Sequence, residues 1–148
     1  MENKLILTLP HYQALPTIGL YMDQVLGMVE QYTSSFVDQP ITKSMVNSYV
    51  KKGVIEKPTG KKYSQTQLAE IILIVLYKPI FSLPAISKVL SQARSANEVS
   101  QIFDIVVDHF NAQLRKVTEQ SPQNEDLLAQ SAELLASRLV IEHRINLL

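Results

Sequence analysis

In a chain without cysteine, side-chain chemistry must rest on histidine, carboxylates and hydroxyls, and the three histidines, His11, His109 and His143, stand far apart. Asp108 adjoins His109 and Glu142 adjoins His143. On a helix, adjacent residues point to different faces, so neither pair can chelate as an i, i+4 pair does. Asp104 and Asp108 do share a face, an arrangement common on solvated helices. No serine sits in a nucleophile elbow or has His and Asp partners in an order that makes a triad. The lack of cysteine also excludes disulfides, thiolate zinc sites and thiol nucleophiles. The sequence therefore calls for no catalytic residue, metal ligand or cofactor, and the protein reads as a non-enzyme. What it concentrates instead is a pattern suited to binding a polyanion.

That pattern is hidden by the totals. Fourteen basic and fourteen acidic residues cancel, yet residues 40–94 hold eight lysines and one arginine against Glu56 and Glu70, a balance of +7, while the rest of the chain carries −7. A basic segment within acidic flanks suits a nucleic-acid-binding module on a helical frame. Its centre is a short helix over residues 42–52. Thr42 suits the N-cap, and Gly53 stands where a C-cap glycine belongs. At 100° per residue, Lys43, Ser44, Asn47, Ser48 and Lys51 fall within an arc of about 140°, with Met45, Val46, Tyr49 and Val50 opposite. No acidic residue occurs between Pro40 and Ile55. Small polar side chains let a helix backbone approach the major groove, an Asn can bond an adenine edge twice, and lysines reach phosphates. Lys52 closes the helix. Beyond it Lys57, Lys61, Lys62 and Tyr63 surround a Pro58-Thr59-Gly60 turn, read as a type I turn in a small hairpin whose lysines add phosphate contacts.

These residues carry a family resemblance. Residues 41–55, I-T-K-S-M-V-N-S-Y-V-K-K-G-V-I, resemble the V-S-x-x-T-L-R-Y-Y-E-x-x-G-L-I segment of MerR-like winged helix-turn-helix regulators. Thr42 takes the place of the capping Ser, Asn47 that of the Arg, Tyr49 that of the second Tyr and Gly53 that of the Gly. Gly60-Lys61-Lys62-Tyr63 is similar to a shortened wing end, G-Y-R-x-Y. Phe81-Ser82-Leu83 with Ile86 and Leu90 is similar to F-S-L-x-E-I-x-x-L. The resemblance implies a wing beside a recognition helix, double-stranded DNA as partner, and dimerisation through a helix that follows the DNA-binding domain. Separately, L-P-T-I-G-L-Y-M-D-Q-V at residues 15–25, together with the segments above, resembles a bacterial family of unknown function over nearly the whole chain.

The remaining elements read as the frame. Apolar steps of three and four predict a helix over residues 17–36, beginning after Leu15-Pro16. Ser64 and Gln67 form a capping box for a helix to residue 77, and Ser82-Leu83-Pro84 opens another to residue 94. Two longer helices follow over residues 97–120 and 125–146, separated by Ser121-Pro122. In the first, Val99, Phe103, Val106, Phe110 and Val117 make a heptad-like seam, the expected site of a homodimer. The alternative is packing on Leu128, Ala132, Leu135 and Leu139 of the last helix. The expected architecture is all-α: a winged helix-turn-helix domain with a short β-hairpin wing over residues 1–94, and a C-terminal helical pair over 95–148. The longest strongly apolar run, residues 71–77, is too short to span a bilayer, and the N-terminus lacks a signal-peptide pattern, so a cytoplasmic protein with no membrane partner is expected. The function read here is DNA-binding transcriptional regulation through Thr42, Lys43, Ser44, Asn47, Ser48, Lys51, Lys52, Lys57, Lys61, Lys62 and Tyr63. The alternative is an interaction module whose basic face docks an acidic protein. The C-terminal helices leave room for an unidentified small-molecule effector.

Overall fold

The computed structural model describes residues 8–119 and 124–148. Among these residues the regular structure is helical: a 3-10 turn, Tyr12–Ala14, and six helices, α1 (Met22–Thr33), α2 (Lys43–Lys51), α3 (Gln65–Tyr77), α4 (Leu83–Arg94), α5 (Val99–Glu119) and α6 (Asn124–Asn146). The centre is α3. Leu68, Ala69 and Ile71 to Ile74 are completely shielded from solvent, so this helix is apolar all round, as one surrounded by others must be. Its start is set by the Ser64–Gln67 capping box, in which the Gln67 backbone N–H donates to Ser64 Oγ and the Ser64 backbone N–H donates to Gln67 Oε1. Helices α1, α4 and α5 pack around it, and α6 reaches back onto α4. The buried cluster runs from Leu9 to Val107, so α5 shares one core with the segments before residue 94.

Three expectations need correction. The first is the β-hairpin wing: the described residues contain no strand, only two isolated bridges, Leu20 with Tyr63 and Thr59 with Lys62. Other groups have claimed the hydrogen bonds that a hairpin needs. Lys62 N–H donates to Thr59 O at 3.0 Å and closes the turn. Tyr63 then pairs with Leu20, donating to its carbonyl at 2.8 Å and accepting from its N–H at 2.9 Å. On the outgoing side, Val54 O accepts from the Arg94 guanidinium and Glu56 O from the Gln67 amide, both at 2.9 Å. Pro58 has no N–H to offer. The turn also lies two residues later than expected. Gly60 at φ +56° and Lys61 at φ +67° occupy its centre, two successive positive angles that belong to the mirror-image type I′ family and not to a type I turn. A MerR-like winged domain is therefore not the fold.

Second, α1 begins at Met22 and not near residue 17. The segment before it stays extended because Leu20 is paired with Tyr63, and Tyr21 N–H is capped by Gln24 Oε1 at 2.9 Å. Third, the α5 seam faces inward from Val99 to Phe110, with Val117 alone left exposed. Phe103 is fully buried, its ring edge-on to Tyr12, and Phe110 meets Phe36 edge-on at 5.0 Å between centroids. Those phenylalanines belong to the chain's own core. The stripe on α6 that was to match them, Leu128, Leu135 and Leu139, is exposed.

The N-terminal segment is strapped across α3 and α5. Asn111 exchanges hydrogen bonds with both backbone groups of Leu9, at 2.8 and 3.0 Å. Asp104 accepts from Tyr12 N–H, and Asp108 bonds His11 at 2.6 Å. The Gln65 amide donates to the carbonyls of Tyr12 and Leu15.

Candidate nucleic-acid interface

Helix α2 is built as its amphipathic pattern requires. Thr42 Oγ1 accepts from Met45 N–H at 3.3 Å and caps the start. Val54 N–H bonds Tyr49 O and Gly53 N–H bonds Val50 O, the two bonds of a Schellman stop, with Gly53 at φ +72° supplying the left-handed residue. Val46 and Tyr49 are buried against the core, and Met45 and Val50 are half-buried. Lys43, Ser44, Asn47, Lys51 and Lys52 are exposed, as is Thr42, while Ser48 is half-covered. Burial pushes the Tyr49 phenol up to about 12, and among the described residues its hydroxyl has no hydrogen-bond partner.

The basic turn is held from beneath by side chains that sequence reasoning missed. Arg94, at the end of α4, donates to Val54 O and pairs with the buried Glu70 of α3. Gln67, expected only as a cap, also holds Glu56 O. Together they pin both ends of the segment that leads into the turn. Burial lowers the Arg94 guanidinium from its ordinary value, and the nearby Glu56 carboxylate works against that shift. A signal for the pair did exist: Glu70 is a lone carboxylate in an apolar helix, and Arg94 is the sole arginine in the basic segment. A buried charge of that kind demands a partner.

Lys57, Lys61 and Lys62 are exposed at the turn. The Lys62 stem lies over Gly19, where an added Cβ would come within 3.1 Å of Lys62 Cβ, so a side chain at residue 19 would displace the lysine. Its ammonium stands 5.3 Å from the centre of the Tyr21 ring. Tyr63 departs from expectation: it is 3% exposed, with its phenol raised by burial, and packs inside the core where no ligand can reach it. The pairing with Leu20 brings an unexpected side chain beside the turn, that of Tyr21, 53% exposed. The C-terminal end of α2, at Val50 and Gly53, borders the same 800 Å³ groove as Lys57 and Lys62, with Gln67 and Arg94 at its wall.

A family model described as Domain of unknown function (DUF1836) matches residues 10–120. The chain belongs to the DUF1836 family. The matched stretch contains α1 to α5 and both halves of the basic surface, and leaves out α6. The resemblance to a family of unknown function thus holds, while nothing supports a MerR-like assignment for this DUF1836 chain. Searches of curated proteins and of solved structures returned no match. Among the described residues no helix is long and apolar enough to cross a membrane.

Proposed function

We propose that this DUF1836 protein binds double-stranded DNA through the exposed face of α2 and the basic turn at residues 57–62, and acts as a regulator of transcription. One observation carries the reading. The solvent face of α2 offers Lys43, Ser44, Asn47, Lys51 and Lys52 with no carboxylate among them, on a helix whose other face is locked in the core. Such a face can approach bases closely while its rim neutralises phosphates. The pinned turn supplies three further lysines from a second direction. Titration of labelled duplexes by fluorescence anisotropy tests it. If about six phosphates are neutralised, raising salt from 50 to 200 mM weakens binding roughly a thousandfold. Folded protein that ignores a mixed-sequence duplex library at 50 mM salt would sink the reading and leave an acidic protein as the partner of this face.

A further inference from the structure

Helix α6 leaves most of its apolar side chains uncovered. Leu127, Leu134 and Ile141 recur at seven-residue intervals, and Leu128, Leu135 and Leu139 make a second stripe about 100° round the helix. The chain itself covers only the C-terminal part of α6, and that incompletely, since Ile141 is still 45% exposed. Ile145 is buried, and Ile141 borders a 200 Å³ apolar pocket with Phe81, Ile86 and Leu90. Leu128 remains 77% exposed, Leu134 61% and Leu135 56%. Helix α5 does not close over them. A gap of 500 Å³ separates Lys116 and Val117 on α5 from Glu133 and Leu134 on α6, and Val117 is itself exposed.

We propose that a second copy of this chain covers this face, the two α5–α6 arms packing as a four-helix homodimer centred on α6. Size favours this occupant. The five exposed leucines of the two stripes present on the order of 550 Å², at the upper end of what monomers show and close to the apolar share of a ~800 Å² per-partner interface. Spacing favours it too, since a seven-residue repeat is the seam of helices lying side by side, and a copy brings the same repeat over the same 23 residues. So does charge. Lys116 and Glu133 stand on opposite walls of the gap and neither enters an ion pair among the described residues. In the proposed dimer each Lys116 pairs with Glu133 of the other copy across the two-fold axis. This proposal does not rest on the DNA reading, and it shifts the contact from the α5 seam, whose phenylalanines are spent in the core.

Light scattering and sedimentation of the full chain decide the matter. The wild type should show twice the mass of one 16.7 kDa chain at micromolar concentration. The variant Leu128→Asp/Leu135→Asp should show the mass of one chain with unchanged helical circular dichroism, because both side chains already face solvent in the single chain. Glu133→Lys should weaken the dimer severalfold at low salt, and adding Lys116→Glu should restore it. A wild type that is monomeric at about 100 µM would overturn the proposal and assign the face to a different protein. A Leu128→Asp/Leu135→Asp variant that still dimerises would overturn it as well, as would a Glu133→Lys defect that Lys116→Glu fails to repair.

Discussion

Asn47 and Lys61 divide the proposed interface into reading and holding. Asn47 is uncharged and exposed at the middle of α2, so Asn47→Ala should cost about 1–3 kcal/mol on a selected site and relax preference at one base pair. Lys61→Ala should weaken all duplexes alike and lower the salt slope by about one. Equal losses on selected and random DNA for Asn47→Ala would show that the helix holds backbone only. A second residue-scale prediction concerns Tyr49, whose buried hydroxyl lacks a partner among the described residues. Tyr49→Phe removes that unsatisfied group and should raise stability by about 1 kcal/mol in urea unfolding. Tyr49→Ala empties the ring's volume and should cost about 3–5 kcal/mol. Arg94 gives the third. Arg94→Ala leaves Glu70 buried without its cation and should destabilise by about 3 kcal/mol, with Glu70→Gln milder. If Arg94→Ala proved neutral, the turn would have to be held by Gln67 alone.

At the level of elements, the N-terminal strap and α5 make one pH-dependent contact. The hydrogen bond to Asp108 raises the His11 imidazole above its ordinary value, helped by the charges of Asp108 and Asp104. A raised folded value means that the protonated form is favoured by folding. The contribution is therefore fully present below the ordinary histidine value and is lost as pH rises through the higher folded one. The stability difference between wild type and His11→Gln should be larger at pH 5.5 than at pH 8, as read by thermal melts at both values. An equal difference at the two pH values would remove the charge from the strap. The basic turn is a second element-scale case. Residue 61 sits at φ +67°, a conformation that favours glycine or asparagine, so Lys61→Gly changes charge and relieves backbone strain together. Lys62, without that angle, is the cleaner probe of phosphate contact.

For the whole molecule, α6 lies outside the stretch matched by the family model and touches the rest mainly through Ile145, Ile141 and the Arg138 bond to Ile80 O at 3.0 Å. A chain ending at Glu119 should keep a cooperative unfolding transition, weakened by about 2–3 kcal/mol for the loss of Ile145 burial. It should also lose any self-association. A truncated chain without cooperative unfolding would mean that α6 belongs to the folding unit.

Sequence alone determined the helices, because their signals are local. Thr42, Gly53, the Ser64–Gln67 box and Ser82 each act within one turn of the backbone, and the structure puts caps at all four. The two faces of α2 followed from the same periodicity. Local signals could not say where Val54, Glu56 and Tyr63 would find hydrogen-bond partners, since those lie on Arg94, Gln67 and Leu20, up to 43 residues away. A lysine-rich turn between extended residues reads as a hairpin until distant groups claim its backbone. The same holds for apolar stripes. Periodicity marks a face that must be buried but cannot name its cover, and only tertiary packing took Phe103 and Phe110 into the core while leaving Leu128 and Leu135 in water.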